Sequence, residues 1–133
     1  MHVEVVHPEG WKPAKGYANA IRVEGATQLL FVAGQVAWDA EQRLVGRGDM
    51  AGQFAQALEN VAACVRAAGG EPRHVVRMTV YVTDKRAYLA ATSAIGARWR
   101  SIFGRHYPAM ALVQVAELLE DGALVEIEAT AAW

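Results

Sequence analysis

Val75-Val76-Arg77-Met78-Thr79-Val80-Tyr81-Val82 decides the fold. The stretch is rich in β-branched residues and alternates, which reads as a strand. Val76, Met78, Val80 and Val82 share one face, and Arg77, Thr79 and Tyr81 the other, because successive strand side chains point to opposite sides. Upstream, Phe54, Leu58, Val61 and Val65 recur at spacings of 4, 3 and 4, one face of a helix. Asp49 is suited to cap that helix and Gly69-Gly70 to stop it. Downstream, Asp84 is placed to cap a second helix, with Tyr88, Ile95, Trp99 and Phe103 along one face and Gly104 at its end. A further strand over residues 109–116 follows Pro108, and Glu120-Asp121-Gly122 forms a turn. In a last strand, Leu124–Trp133, Val125, Ile127, Ala129 and Ala131 alternate with Glu126, Glu128 and Thr130.

Towards the N-terminus, Met1–His7 reads as a short strand stopped by Pro8, Gly10 and Pro13. Tyr17–Val23 and Leu29–Val32, joined by Gly25-Ala26-Thr27, read as a β-hairpin. Ala37–Gly48 reads as a loop. The order β-β-β-α-β-α-β-β is not a strict βαβ alternation, so a doubly wound parallel sheet is disfavoured. The expectation is a single α+β domain over residues 1–133, a mixed sheet with two helices on one face. The polar sheet face is either wet or covered by a partner subunit, where Arg77 would neutralise a glutamate.

The 133 residues include 13 Lys and Arg against 14 Asp and Glu. This balance, with no basic cluster, argues against nucleic-acid binding by bulk charge. The apolar share of 53% excludes a disordered chain. A single cysteine, Cys64, excludes an internal disulfide and any CxxC pair, and fits a reducing compartment. No run approaches the roughly 20 apolar residues of a membrane span, and residues 1–13 lack the regions of a signal peptide. A cytoplasmic location is expected.

P-loop, GxSxG, HExxH and GxGxxG strings are all absent. Ser93 and Ser101 fall inside the second helix, and Cys64 reads as a packed thiol. His2, His7, His74 and His106 show no metal-ligand spacing, so no metal site is expected from them.

Several short strings, in order, resemble the Rid (YjgF, or reactive-intermediate-deaminase) family. Lys15-Gly16-Tyr17-Ala18-Asn19-Ala20 is similar to its Gly-Pro-Tyr-Ser-Gln-Ala element, and Phe31-Val32-Ala33-Gly34-Gln35-Val36 to its Ser-Gly-Gln element. Leu58-Glu59-Asn60-Val61 with Ala67-Ala68-Gly69-Gly70 resembles its first helix, Pro108-Ala109 opens its signature strand, and Val125-Glu126-Ile127-Glu128-Ala129 matches its closing strand. The resemblance covers nearly the whole chain. It implies a chorismate-mutase-like fold, a homotrimer with the polar sheet faces turned inward, and small-molecule clefts between subunits. In the deaminase members those clefts hydrolyse enamines and imines without a cofactor.

Carried over by position, the resemblance assigns a cleft tyrosine to Tyr17, a water-orienting glutamate to Glu126, and cleft backbone to Ala33 and Gly34. Where the family has Pro-Ala-Arg-Ser, this chain has Pro108-Ala109-Met110-Ala111. The arginine position is Met110, and a thioether cannot grip a carboxylate as a guanidinium does. The cysteine often found two residues on is Leu112, and the asparagine of the second helix aligns with Gly96. The serine before Gly34 is Ala33, so Met110, Leu112, Gly96 and Ala33 make the expected cleft less polar, with Ala111 beside them. Loss of a charged partner costs on the order of 2–5 kcal/mol, or roughly 30- to several-thousand-fold in affinity. Arg105, Arg98 and Arg22 are candidates to replace the missing arginine. Two readings stand: an enamine or imine hydrolase with altered substrate, and a non-catalytic metabolite-binding or scaffold trimer. RNA cleavage, a third activity linked to the family, is disfavoured by the charge balance.

Overall fold

The computed structural model describes residues 1–133. The strands are β1 (His2–Val6), β2 (Ala20–Glu24), β3 (Leu29–Gln35), β4 (Val75–Val82), β5 (Ala109–Gln114) and β6 (Val125–Ala132). The helices are α1 (Met50–Ala67), α2 (Lys85–Ala90) and α3 (Thr92–Phe103). The main sheet has the order β3-β6-β4-β5. β6 runs antiparallel to β3 and β4, while β4 and β5 are parallel. The mixed α+β architecture agrees with the expectation, with the helices packed on one side.

Side-chain chemistry explains where α1 lies. The Asp49 carboxylate accepts from the Gly52 N–H at 3.0 Å and satisfies one of the free donors of the first turn. Phe54, Leu58, Val61 and Val65 are buried against the sheet. Beyond Ala67 the chain turns at Gly69, whose φ of 90° suits glycine. A Cβ on Gly70 would lie 2.9 Å from the Trp133 ring, so the C-terminal residue packs onto the end of α1.

Four local expectations are corrected. The segments 17–23 and 29–32 do not form a hairpin: β2 pairs with β1, and β3 pairs with β6. Ala18 instead bridges Ala109, and its N–H donates to the Pro108 carbonyl at 3.0 Å, so the residues entering β2 run beside the start of β5. The second helix is two helices broken at Ala91, with Asp84 capping only α2 through the N–H groups of Arg86 and Ala87. The strand after Pro108 ends at Gln114 rather than 116. Finally, a register shift between Val75 and Arg77 makes Val76 an extra residue in β4. Val75 is buried and Val76 is only half-buried, while Met78, Val80 and Val82 point into the core as expected.

The core lies between α1, α3 and the sheet, with Val80, Val125 and Ile127 fully buried at its centre. The other sheet face has no layer over it. Phe31 and Val113 on that face are 74% and 42% exposed.

Candidate functional site

The residues expected to form one cleft fall in three places. Met110 pairs with Met78 and Leu112 with Val80, so both lie on the helix side of β5. Leu112 packs against the core. Met110 and Gly96 line a cavity of about 300 Å³ between α1, the α2–α3 elbow and β5, with Phe54, Tyr88, Trp99 and Tyr107 as its aromatic walls. Trp99 is held firmly: its Nε1–H donates to the His106 carbonyl at 3.1 Å, and its ring stacks on Tyr107 with centroids 5.7 Å apart.

The cavity also contains a charge that the sequence reading missed. Arg100 lines it, and a Cβ on Gly96 would lie 3.3 Å from Arg100 Nη1. Arg100 is one helical turn after Gly96, so the absent side chain at Gly96 leaves room for the guanidinium. That spacing was the available signal. Arg100 has no carboxylate partner in the chain. The arginines named as candidates lie elsewhere. Arg22 pairs with Glu4 and Glu24 on the β1–β2 hairpin, Arg98 lines a separate groove with Gln56 and Glu59, and Arg105 sits exposed beyond α3. The Tyr88 hydroxyl makes no hydrogen bond within the chain, and burial pushes its pKa up, so it stays a donor at neutral pH.

The second group lies on the uncovered sheet face. Ala111 pairs with Thr79 and is exposed there. Ala33 and Gly34 occupy an irregularity between Val32 and Gln35 where β3 bulges against β6. A Cβ on Gly34 would fall on Glu126 Oε1, with Cδ at 2.8 Å, so the carboxylate rests directly on the glycine backbone. Glu126 sits opposite Tyr81, whose hydroxyl donates to Glu128 at 2.7 Å. That hydrogen bond, then burial, raises the Tyr81 pKa. Arg77 stands opposite Thr130 and forms no ion pair within the chain. Glu126 is half-buried and has neither a cation nor a hydrogen-bond donor as partner within the chain.

Tyr17 belongs to neither group. It is 42% exposed and lines a shallow apolar hollow with Val5, Trp11 and Pro13. His7 braces this hollow, with Nε2 bonded to the Trp11 carbonyl and Nδ1 to the Asn19 amide, both at 3.1 Å. Gly16, the residue before Tyr17, reaches the Met110 cavity. Within one chain the sheet therefore separates Met110 and Gly96 from Glu126 and Gly34.

No three His, Cys, Asp or Glu side chains converge to hold a metal ion. No helix is long and apolar enough to cross a membrane.

The sequence model described as endoribonuclease L-PSP matches residues 9–133. A RutC family protein of Pyrococcus horikoshii is 37% identical over 120 residues, covering 90% of this chain and 89% of its own. The human 2-iminobutanoate/2-iminopropanoate deaminase is 30% identical, covering 86% and 78%. Among solved structures, a Rid-family protein of unknown function from Yersinia pestis is 34% identical, covers all of both chains and superposes with a TM-score of 0.87.

Proposed function

The chain belongs to the endoribonuclease L-PSP family, whose members include Rid and RutC proteins, and from that membership we propose that it is a homotrimer with small-molecule clefts between subunits that hydrolyses C=N bonds. The fold is the YjgF-type arrangement of mixed sheet and helices. Two relatives named as 2-iminobutanoate/2-iminopropanoate deaminases, from human and Salmonella typhimurium, are 30% and 34% identical. The separation of the assigned residues supports a shared cleft. Met110 and Glu126 lie on opposite sides of one sheet, so a site using both needs the β5 edge of one copy against the open face of another.

The observation that carries the hydrolase reading is the Glu126 carboxylate, seated on Gly34 without a neutralising partner. In imine hydrolysis a water oxygen bonds to the imine carbon while its proton passes to a base, the C=N π pair moves to nitrogen, and the nitrogen takes up protons from that base and from solvent. The nitrogen then leaves as ammonia, and a carbonyl remains. Glu126 is suited to hold that water and accept its proton. Met110 offers no charge for a substrate carboxylate, so the preferred substrate differs from the small 2-imino acids named for the deaminase relatives.

The test is hydrolysis of the 2-aminoacrylate imine, generated in situ by a pyridoxal-phosphate lyase. Wild type, Met110→Arg and Glu126→Gln are compared. The reading expects slow wild-type turnover, a gain in Met110→Arg, and loss in Glu126→Gln. Absence of turnover in wild type and Met110→Arg, on this imine and on bulkier ones, would leave the metabolite-binding trimer.

A further inference from the structure

The cavity behind Met110 has a composition of its own. Phe54, Tyr88, Trp99 and Tyr107 give it aromatic walls, Arg100 stands at its rim, and its volume of about 300 Å³ is at the small end of ligand pockets. The walls are fixed by the Trp99–His106 hydrogen bond and the Trp99–Tyr107 stack, so little ordering is left for a ligand to impose. Two polar groups have no partner within the chain and are open to solvent: the guanidinium of the exposed Arg100 and the Tyr88 hydroxyl. An apolar molecule alone would satisfy neither. An anion without an apolar body would leave the aromatic walls unused.

We infer that this cavity binds small aryl carboxylates, with the ring among Phe54, Trp99 and Tyr107 and the carboxylate on Arg100. Gly96 makes this geometry possible, because a side chain there would press on the guanidinium. Arginine suits the task because its planar fork matches the two carboxylate oxygens. The inference deepens the hydrolase reading by naming the substrate class, and it rests on that reading only for the connection to turnover. Every residue named belongs to one chain, so binding itself needs neither Glu126 nor a second copy.

The test is calorimetric titration of 3-phenylpropanoate, a stable aryl carboxylate without a C=N bond. The protein is wild type, Arg100→Gln or Arg98→Gln, and the comparison ligands are 3-phenylpropanamide and propanoate. The expected result has wild type binding 3-phenylpropanoate about tenfold or more tighter than either comparison ligand. Arg100→Gln loses that advantage and still binds the amide as wild type does. Arg98→Gln, on the neighbouring groove, leaves all affinities unchanged. Equal 3-phenylpropanoate affinity in wild type and Arg100→Gln overturns the inference. So does propanoate binding as tightly as 3-phenylpropanoate, or no binding of 3-phenylpropanoate at millimolar concentration. Calorimetry reads binding without turnover, so an inert hydrolase and an empty cavity give different results.

Discussion

Gly34 and Glu126 form a pair in which one residue's missing side chain places the other's carboxylate. The atoms that a Gly34 Cβ would strike are the far end of a flexible side chain, so Gly34→Ala is relieved by moving the carboxylate rather than the backbone. The expected outcome is therefore divided. Thermal stability changes by less than about 1 kcal/mol, while a displacement near 1 Å lowers hydrolysis by about 100-fold. Parallel melting curves and imine turnover check this; a large fall in melting temperature would show that Gly34 serves the backbone instead. His74 supports a pH prediction. Burial, then the nearby Arg73 charge, lowers its pKa from the ordinary 6.5, and its Nδ1 accepts from the Glu71 N–H at 2.9 Å. The unfolded chain takes up the proton first as pH falls through 6.5, so the folded state loses stability towards the lower native pKa. Above 6.5 the imidazole is mostly neutral in both states and stability is flat. Urea midpoints at pH 7.5 and 5.5 should fall with acidification, and His74→Asn should flatten the trend. The same slope in His74→Asn as in wild type would assign it to other groups.

At the scale of elements, α1 is held to its surroundings by two polar side chains, Asn60, whose amide donates to the Val36 and Trp38 carbonyls at 3.0 and 2.9 Å, and the buried Gln53. The Gln53 amide donates to the carbonyls of Gly46 and Gly122 at 3.2 and 3.0 Å, and its carbonyl accepts from the Leu124 N–H at 2.8 Å. Gln53→Leu keeps the volume but leaves these backbone groups without partners, at a cost of about 3 kcal/mol. Asp49→Ala removes only the cap and costs about 1 kcal/mol. Chemical unfolding of both variants should preserve this order; a Gln53→Leu protein as stable as wild type would mean that water replaces all three contacts. Gln53 lies on the buried side of a helix whose apolar seam was legible from Phe54, Leu58, Val61 and Val65, yet nothing local marked it as a cross-link. The strands of the sheet were legible where burial on one face imposed alternation, in Val75–Val82 and Leu124–Trp133. Pairing was less legible. Gly25 joins two strands that belong to different sheets, and hydrogen-bond partners distant in sequence leave no periodic trace. Val75-Val76 hid the bulge because either valine suits the buried face. The break at Ala91 contains neither glycine nor proline, so the apolar seam ran through it unbroken. In the site, motif positions pointed to Glu126, Gly34 and Met110. Arg100 lay outside every motif, and its spacing of one helical turn from Gly96 was the only mark it left in the sequence.

The whole molecule has one covered and one uncovered sheet face, and the proposed cleft draws on both: Met110 from the covered side and Glu126 from the uncovered side. Phe31 on the uncovered face is 74% exposed, with Val113, Ala111 and Thr79 on the same side and Arg77 and Glu128 among them. Such a mixture suits an interface that excludes water at apolar points and aligns charges around them. Phe31→Glu puts a carboxylate at the most exposed of these apolar positions, so the proposed trimer should dissociate. Light scattering then expects three times the 14.4 kDa chain mass for wild type and the single-chain mass for Phe31→Glu. A wild type of single-chain mass, or a Phe31→Glu protein of unchanged mass, would defeat the trimer. Activity provides a second reading. A cleft needing Met110 from one copy and Glu126 from another loses turnover on dissociation, whereas the aryl-carboxylate cavity lies within one chain and persists in the monomer. Phe31→Glu should therefore abolish hydrolysis and keep 3-phenylpropanoate affinity within about twofold, because the cavity is lined by one chain and Phe31 lies on the opposite sheet face. Hydrolysis surviving in a monomer would confine the catalytic groups to a single chain and remove the reason for setting Glu126 opposite a neighbour's β5.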